Sequence, residues 1–310
     1  MDYDIIGDVH GHADALQALL HHLGYRKHDD AWRHPSRQVL FVGDFIDRGP
    51  GQMETVNMVQ NMVMAGAAQA VMGNHEFNAI AWHTPDPKAP GEYLRPRSGK
   101  VGEKNYDQHK HFLSAVAEPE MHDEVIEWFL TLPLWLDLPD LRVVHACWNE
   151  DAIAALTPLL TPNRQLTRKL MEAASRPGSI EFCSVECLTK GVEVPLPDGH
   201  SFLDNDGNER RSVRIRWWDD QARTYRALAL MPKDELRKLP EDSVPTVANY
   251  GYAGIKPLFF GHYWLQGQPS PVSERTACVD YSVAKGGKLV AYRFAAGEPL
   301  SSDNFTWVGA

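Results

Sequence analysis

Apolar and polar positions along residues 1–80 form short blocks that predict strands and helices in turn. In Ala13–Leu23 the apolar residues recur at helical spacing, and Gly24 follows as a stop signal. Residues 53–65 predict a second helix by the same spacing. Three short apolar runs predict strands, at residues 4–6, 39–42 and 70–72. The order β-α-β-α-β predicts an α/β protein with crossover helices.

The remainder of the chain is less regular. Prolines and glycines in residues 84–102 predict a surface loop, followed by helices at 103–116 and 119–132. Residues 153–175 are predicted to be mostly helical. Paired or terminal strands are predicted at 134–138, 141–144, 192–197, 213–217, 258–260, 276–279 and 288–294, with a turn at Asp206-Gly207 and a terminal hairpin formed by the last two strands. We expect a single domain, 1–310, with insertions at about 84–102 and 150–250.

Charge and cysteine content narrow the class of protein. The formal net charge is −10, which argues against general nucleic-acid binding, since that needs a basic surface. Four cysteines at irregular spacing predict neither a disulfide framework nor a zinc knuckle. The N-terminus lacks a signal-peptide pattern, and no apolar run is long enough for a membrane span. We therefore expect a cytoplasmic protein without a membrane partner.

Five segments place metal-ligand side chains directly after predicted strands. They are Gly7-Asp8-Val9-His10-Gly11, Gly43-Asp44-Phe45-Ile46-Asp47-Arg48-Gly49, Gly73-Asn74-His75-Glu76, Val144-His145-Ala146 and Phe260-Gly261-His262-Tyr263. Each alone has an ordinary explanation: a surface pair, a turn with an Asp–Arg ion pair, a helix start capped by Asn74, or a half-buried histidine. No such explanation accounts for all five at strand ends, where ligands bind in α/β sheets.

The ordered set resembles the calcineurin-like metallophosphoesterase superfamily, and within it the phosphoprotein-phosphatase branch of serine/threonine phosphatases and diadenosine tetraphosphatases. The match covers residues 5–76, 143–148 and 258–294. The resemblance implies two mixed β-sheets flanked by helices, with a dinuclear metal site at the carboxyl ends of the strands. It also implies a set of metal ligands: Asp8 and His10 for the first ion, Asp44 as the bridge, and Asn74, His145 and His262 for the second.

The same resemblance implies catalytic roles. Arg48 would bind phosphate oxygens, and His75 would protonate the leaving oxygen with Asp47 orienting it. A carboxylate bridges two cations well, and mixed nitrogen and oxygen ligands suit Mn, Fe, Zn, Co or Ni better than Mg or Ca. We therefore expect two divalent ions, most simply Mn²⁺. Two such ions activate a bridging water and clamp the attacking and leaving oxygens.

One departure narrows the branch. Other branches of the superfamily end in Gly-His-x-His, whereas this chain has Trp264 at the last position, and tryptophan cannot ligate a metal. That argues against nuclease-like and purple-acid relatives. The stretch from Val279 to Leu289 resembles the closing strands of diadenosine tetraphosphatases, in which the acid corresponding to Asp280 lies near the metals. The alternative for Asp280 is a carboxylate that caps a turn.

Substrate contacts are less clearly marked. A second phosphate-binding arginine is expected near Trp217-Trp218-Asp219, with Arg216, Arg214 and Arg223 as candidates. Trp148 is a candidate for stacking on an aromatic or nucleobase leaving group. Other aromatic residues share that possibility, with packing as the alternative: Trp82, His83, Trp217 and Trp218.

These observations lead to one function and three alternatives. We expect a phosphatase that hydrolyses phosphate monoesters of small molecules, nucleotides or phosphoproteins. The alternative within enzymes is hydrolysis of dinucleoside polyphosphates or phosphodiesters. A non-catalytic binding scaffold is disfavoured because every expected ligand is present. A Rossmann enzyme is disfavoured because Gly7 to His12 lacks the G-x-G-x-x-G spacing.

Overall fold

The computed structural model describes residues 2–203, 209–219, 221–244 and 251–309. In the first part of the chain the elements are β1 (Asp2–Ile6), α1 (Ala13–Leu23), β2 (Arg26–His28), β3 (Ala31–Arg33), β4 (Arg37–Phe41), α2 (Gln52–Met64), β5 (Ala68–Ala70), α3 (Asn74–His83), α4 (Gly99–Ala115), α5 (Pro119–Leu130), β6 (Trp135–Asp137) and β7 (Arg142–Val144). In the second part they are α6 (Glu150–Leu156), α7 (Arg168–Ala174), α8 (Ile180–Lys190), β8 (Glu193–Pro195), β9 (Phe202–Leu203), β10 (Glu209–Arg210), β11 (Ser212–Arg214), α9 (Tyr225–Leu228), α10 (Lys233–Leu236), β12 (Leu258–Phe260), β13 (Thr276–Cys278), β14 (Asp280–Tyr281), β15 (Lys288–Phe294) and β16 (Phe305–Gly309).

The larger sheet has six strands in the order β14-β15-β1-β4-β5, with β16 beside β15. β1 is parallel to β4 and antiparallel to β15, and β4 is parallel to β5. The parallel strands follow from the alternation of strands and helices in residues 1–80. A crossover helix returns the chain to the end of the sheet where the previous strand began, so that the next strand runs in the same direction.

A second sheet of four strands has the order β13-β12-β7-β6. β12 is parallel to both β7 and β13, whereas β6 and β7 form an antiparallel pair. A shared buried layer contains residues of both sheets: Ile5, Leu40, Val42, Val143, Phe259 and Ala277. The two mixed sheets therefore pack face to face, and the predicted fold class is confirmed.

Helices cover the outer face of the larger sheet. Leu16, Leu19 and Leu20 of α1 and Val56 and Val59 of α2 are fully buried in one apolar cluster with the strands. These residues hold the helical spacing that predicted both elements. α1 ends at Gly24, whose φ of 97° is left-handed and therefore favours glycine.

Several sequence predictions were wrong in detail. Strands 276–279 and 288–294 do not pair with each other, because β13 pairs with β12 in the smaller sheet; the antiparallel partner of β15 before the turn is β14. Residues 153–175 contain only the end of α6 and the whole of α7, with residues 157–167 outside any helix. The predicted turn at Asp206-Gly207 lies outside the described residues.

The middle of the chain contributes a small apolar cluster of its own. β8 lies within the strand predicted at 192–197 and pairs with β11, which overlaps the strand predicted at 213–217 but ends at Arg214; α9 packs on the pair. Val194, Val213, Ile215 and Leu228 form the centre of this cluster. Among the described residues, no helix has both the length and the apolar character needed to cross a bilayer.

Candidate metal centre

Polar side chains at the carboxyl ends of five strands meet at one edge of the two sheets. β1 leads to Asp8 and His10, β4 to Asp44, β5 to Asn74, β7 to His145 and β12 to His262. All six side chains are buried, with exposed fractions of 8% or less. Ionisable groups are rarely buried unless they are paired or bind a metal, so this cluster is a candidate site.

Potential ligand atoms form two clusters that share one carboxylate. In one, ligand atoms of His10, Asp44 and His75 lie within 4.8 Å of one another. In the other, ligand atoms of Asp44, His145 and His262 lie within the same distance. The shared position of Asp44 is the arrangement that a bridging ligand would need.

Backbone carbonyls fix the orientation of two of the histidines. His10 Nδ1 lies 3.0 Å from the carbonyl oxygen of Ile46, and His145 Nδ1 lies 2.7 Å from that of Val42. Because a carbonyl can only accept, each Nδ1 donates, and in the neutral imidazole each Nε2 keeps a lone pair for a metal. His145 Nε2 lies 3.3 Å from Asp44 Oδ2.

Two buried nitrogens at the site lack a partner. Within the described part of the chain, Nε2 of His10 and Nε2 of His262 have no hydrogen-bond partner. Buried polar atoms are normally paired, and an unpaired nitrogen that faces a carboxylate is what a metal ligand looks like without its ion. The residues present therefore fit a pair of divalent cations.

Asp8 and Asn74 hold different positions around the clusters. The Asp8 carboxylate accepts from the backbone N–H of His262 at 3.1 and 3.3 Å and, among described residues, belongs to neither cluster. A Cβ on Gly261 would meet Asp8 Oδ1 at 2.0 Å, which explains the glycine before His262. Asn74 Oδ1 lies 3.1 Å from His145 Nε2. The structure thus brings all six predicted ligands to one place.

Glu76 belongs to a predicted ligand segment without a predicted role of its own, and the structure gives it a structural one. Its fully buried carboxylate accepts the backbone N–H groups of Asp44, Phe45 and Gly73 at 2.7 to 3.0 Å. It thereby ties the loop after β4 to the start of α3. The alternative in which Asn74 caps the helix does not hold: Gly73 is the N-cap, and Asn74 is the first helical residue.

A second cluster is centred on Asp47. Its Oδ2 lies 2.5 Å from His75 Nδ1 and 2.8 Å from His109 Nδ1. The first contact matches the predicted pairing of Asp47 with His75, whereas His109 was not predicted. His109 lies on α4 and is fully buried together with Phe112 on the same helix face. That helical spacing was the only signal in the sequence, and it does not reveal the partner.

Burial and crowding shape the charges of the site. Burial, followed by the neighbouring Asp280 and Asp44 carboxylates, raises the pKa of Asp8 well above its usual value. Burial and Asp44 likewise raise the pKa of Glu76 to about 7. Burial, together with His75, lowers the pKa of His10 to about 4. Crowded carboxylates beside His10 and His262, whose pKa values are both lowered, form a site that a divalent cation would neutralise.

The backbone is unusual at the same place. Five of the nine non-glycine residues with positive φ in the described chain belong to the strand-end segments, and Trp264 directly follows the last segment; the five are His10, Asp44, Asp47, Arg48 and His262. Such left-handed residues cost free energy and tend to occur at functional sites. The turns therefore aim side chains inward at the expense of local stability.

The candidate arginines have different surroundings. Arg48 is exposed beside the site, with its guanidinium carbon 5.8 Å from the centre of the Trp264 ring. Arg216 donates to the carbonyl of Ala227, and none of its described contacts links it to the metal clusters. After burial, the Arg214 guanidinium is the main cause that lowers the pKa of His262, so Arg214 is the candidate nearer to the site.

The remaining candidates divide between packing and the site. Trp148 is buried, donates from Nε1 to Glu150 Oε1 at 2.9 Å, and borders a cavity of about 490 Å³. Trp217 and Trp218 pack on Phe260, the ordinary alternative for these residues. Asp280 is buried and accepts from the N–H groups of Ser282 and Trp264, and burial raises its pKa to about 6.

Comparison with known proteins covers the part of the chain that contains all the candidate ligands except His262. A family model described as calcineurin-like phosphoesterase matches residues 1–172. The bis(5'-nucleosyl)-tetraphosphatase PrpE (asymmetrical) of Oceanobacillus iheyensis is 42% identical over 151 residues, 47% of this chain and 55% of that protein. The PrpE of Halalkalibacterium halodurans is 46% identical over 76 residues, 24% of this chain and 31% of that protein. The chain thus spans less than two thirds of the length of these curated relatives.

Among solved structures, a cold-active protein-tyrosine phosphatase of a psychrophilic Shewanella is 16% identical to this chain, with a TM-score of 0.49. The alignment covers 99% of this chain and 80% of that one. A likeness at this level bears on neither activity nor substrate.

Proposed function

Because the chain belongs to the calcineurin-like phosphoesterase family, we propose that it is a two-metal phosphohydrolase whose active site is the strand-end cluster. One observation carries the proposal: the two groups of buried ligand atoms share Asp44. The unpaired Nε2 atoms of His10 and His262 support it. The ions would be divalent, with Mn²⁺ as the expected pair and Fe, Zn, Ni or Co as alternatives.

Each ligand has an assigned place in this proposal. Asp8 and His10 would hold one ion, Asp44 would bridge, and a set of three would hold the other: Asn74, His145 and His262. When bound, the pair would supply an activated water and neutralise phosphate charge. Cytoplasmic location remains a prediction from the sequence.

The protein's own groups would handle the proton and the phosphate. His75 is held by Asp47 through Nδ1, which leaves Nε2 to face the site, 3.9 Å from Asp44 Oδ2. Burial opposes the charged form of His75, but the Asp44 and Asp47 carboxylates outweigh it and raise its pKa. His75 would therefore keep a proton to give to the leaving oxygen. Arg48, exposed at the mouth, would bind the phosphate oxygens through its planar fork.

The relatives support the nucleotide alternative over a monoester substrate. Two of the curated proteins that match this chain are bis(5'-nucleosyl)-tetraphosphatases by name. We therefore propose a dinucleoside polyphosphate as the substrate class, with hydrolysis of a phosphoanhydride bond. Phosphate monoesters, including phosphoproteins, are the second candidate, supported by the closeness of the Asp44, Asp47 and Arg48 motif to the protein-phosphatase branch.

The proposed activity is tested with metal-stripped protein to which Mn²⁺, Ni²⁺, Co²⁺ or Zn²⁺ is returned. We expect at least one ion to restore hydrolysis of p-nitrophenyl phosphate, and Asp44→Asn to lower kcat/KM by at least about 100-fold. Bound metal, counted by mass spectrometry, should fall in the same variant. If no ion restores activity and Asp44→Asn behaves as wild type, the proposal is wrong.

The substrate class is tested separately with the reconstituted enzyme. Diadenosine tetraphosphate, p-nitrophenyl phosphate and a phosphoserine peptide are compared by kcat/KM under the same conditions. We expect the tetraphosphate to rank first. A higher value on the phosphopeptide would transfer the assignment to the second candidate.

A further inference from the structure

Two cations of different segments meet at one indole beside the metal centre. The guanidinium carbon of Arg48 lies 5.8 Å from the centre of the Trp264 ring, and Nζ of Lys285 lies 4.0 Å from it. The two cationic groups are therefore less than about 10 Å apart. Both side chains are exposed, and the indole is partly exposed.

Backbone contacts fix this indole relative to the metal ligands. Trp264 follows His262 by two residues, and its N–H donates to Asp280 Oδ2 at 2.7 Å. The next residue, Leu265, donates its N–H to the carbonyl of Asp280 at 3.0 Å. Lys285 ends the short 3₁₀ helix Val283–Lys285 that follows β14. The loop after β12 and the turn after β14 are thus held together at the site.

Neither cation has an anionic partner among the described residues. Across the residues that the structure describes, the side chains of Arg48 and Lys285 form no ion pair and no hydrogen bond. Arg37, in contrast, is bonded to Asp2 and Asp4, and Lys256 to Asp137. The net charge of the chain is −10, yet Arg48 and Lys285 form a positively charged patch on the surface beside the buried carboxylates.

We propose that Arg48, Trp264 and Lys285 form a subsite for two consecutive phosphates of the substrate. Arg48 would hold the phosphate that is attacked, and Lys285 the phosphate next to it along the chain. The indole would support both stems and keep the charged groups at a fixed spacing. This inference rests on the proposed function, and it assigns the neighbouring phosphate to Lys285.

The reaction that follows is hydrolysis of a phosphoanhydride. The oxygen of one water forms a bond to the attacked phosphorus, and the bond from that phosphorus to the bridging oxygen breaks. The bridging oxygen leaves with the electron pair on the neighbouring phosphate and then takes the proton of His75, while one proton of the attacking water is released. Lys285 would lie beside the phosphate on which the negative charge grows, so its contact would strengthen as the bond breaks.

The test compares two substrates with the Mn²⁺-reconstituted enzyme. The readout is the ratio of kcat/KM on diadenosine tetraphosphate to kcat/KM on p-nitrophenyl phosphate, which offers a single phosphate. Lys285→Ala should lower this ratio at least about tenfold, and Lys285→Arg should retain most of it. A second readout is the inhibition constant of inorganic tripolyphosphate, which should rise in Lys285→Ala relative to that of inorganic phosphate.

Lys288 provides a matched control. It also lies over an indole, with Nζ 4.5 Å from the centre of the Trp307 ring, and no described contact joins it to Arg48 or Trp264. Lys288→Ala should leave both ratios as in wild type. An unchanged ratio in Lys285→Ala, or wild-type enzyme that hydrolyses p-nitrophenyl phosphate but not the tetraphosphate, would overturn the subsite. Failure of wild type on both substrates would overturn the proposed function itself.

Discussion

Strand β1 carries one buried aspartate in its middle and leads to another just after its end. Asp4 is fully buried and is surrounded by donors: Arg37 Nε at 3.1 Å, Arg293 Nε at 3.2 Å and the Tyr25 hydroxyl at 3.0 Å. Asp8 is equally buried but faces other carboxylates, and the backbone N–H of His262 is its donor. A buried charge with its own cations belongs to the architecture. A buried carboxylate such as Asp8, which has no such cation among the described residues, is suited to bind a metal ion from solution.

The largest expected effect separates the two aspartates by stability. Asp4→Asn removes the buried carboxylate that Arg37 and Arg293 share, which leaves Arg37 with Asp2 alone, and should lower the free energy of unfolding by about 3 kcal/mol. Asp8→Asn removes a repelled carboxylate and should leave the metal-free protein as stable as wild type or more so. Urea denaturation of both variants after metal removal measures the difference.

The same two variants should reverse their order in metal binding. Folded Asp4→Asn should retain two divalent ions per chain, whereas Asp8→Asn should lose at least one. Equal losses of stability in the two variants would mean that the different surroundings of Asp4 and Asp8 do not affect the free energy of unfolding.

The next effect in size concerns His109, which approaches Asp47 from α4. His109→Leu leaves Asp47 with a single histidine and should lower kcat by about 10- to 100-fold, as expected for a partner that positions a catalytic group. His109→Asn places an amide nitrogen near the position of Nδ1 and should recover most of the loss. Steady-state kinetics on aryl phosphates checks both.

The choice of leaving group distinguishes positioning from general damage. If His109 acts through Asp47 and His75, the loss should be larger on phenyl phosphate than on p-nitrophenyl phosphate, because the poorer leaving group depends more on proton donation. An equal loss on both substrates, with a lowered melting temperature, would assign His109 to packing alone.

The smallest effect tests the limit of the comparison. His122 on α5 also has a buried Nε2 without a hydrogen-bond partner in the described chain, yet it lies outside the metal clusters. Burial, with His83 and Arg97 nearby, lowers its pKa to about 4 from 6.5. His122 therefore takes up a proton at lower pH in the folded state than in the unfolded state, and the free energy of unfolding decreases as the pH falls from about 6.5 towards 4.

His122→Phe should remove this part of the acid sensitivity. The free energy of unfolding should fall less between pH 7 and pH 5 in the variant than in wild type, as measured by urea denaturation. Metal content and activity at pH 7 should be unchanged. A loss of bound metal would show that His122 takes part in the site after all.

The strand ends were predictable because each placed a polar residue after an apolar run, with a glycine just before that residue in four of the five segments. This pattern in the sequence is enough to find Asp8, Asp44 and His145. Arg214 and Arg216 could not be separated, since residues two apart share a strand face. β11 ends at Arg214, and the chain then turns so that Arg216 bonds to Ala227.

Contacts between distant elements lay beyond the pattern. Helical spacing shows that His109 is on the buried face of α4, but the carboxylate it meets is set by tertiary packing. Likewise, the apolar runs that form β13 and β15 suggest neighbouring strands. Their placement in different sheets depends on the strands with which each one pairs, β12 and β1. The sequence shows Trp264 as a residue that cannot bind metal, whereas its two cations are visible only in three dimensions.

The pairing of β1 with β15 also sets an order in time. Tyr3 lies opposite Phe294, so β1 gains this neighbour in the larger sheet only after residue 294 has been synthesised. Asp8, His10 and Asp44 are synthesised long before His262, which the second cluster needs. The two ions should therefore be acquired in sequence, and filling of the second would report that β12 has joined the smaller sheet.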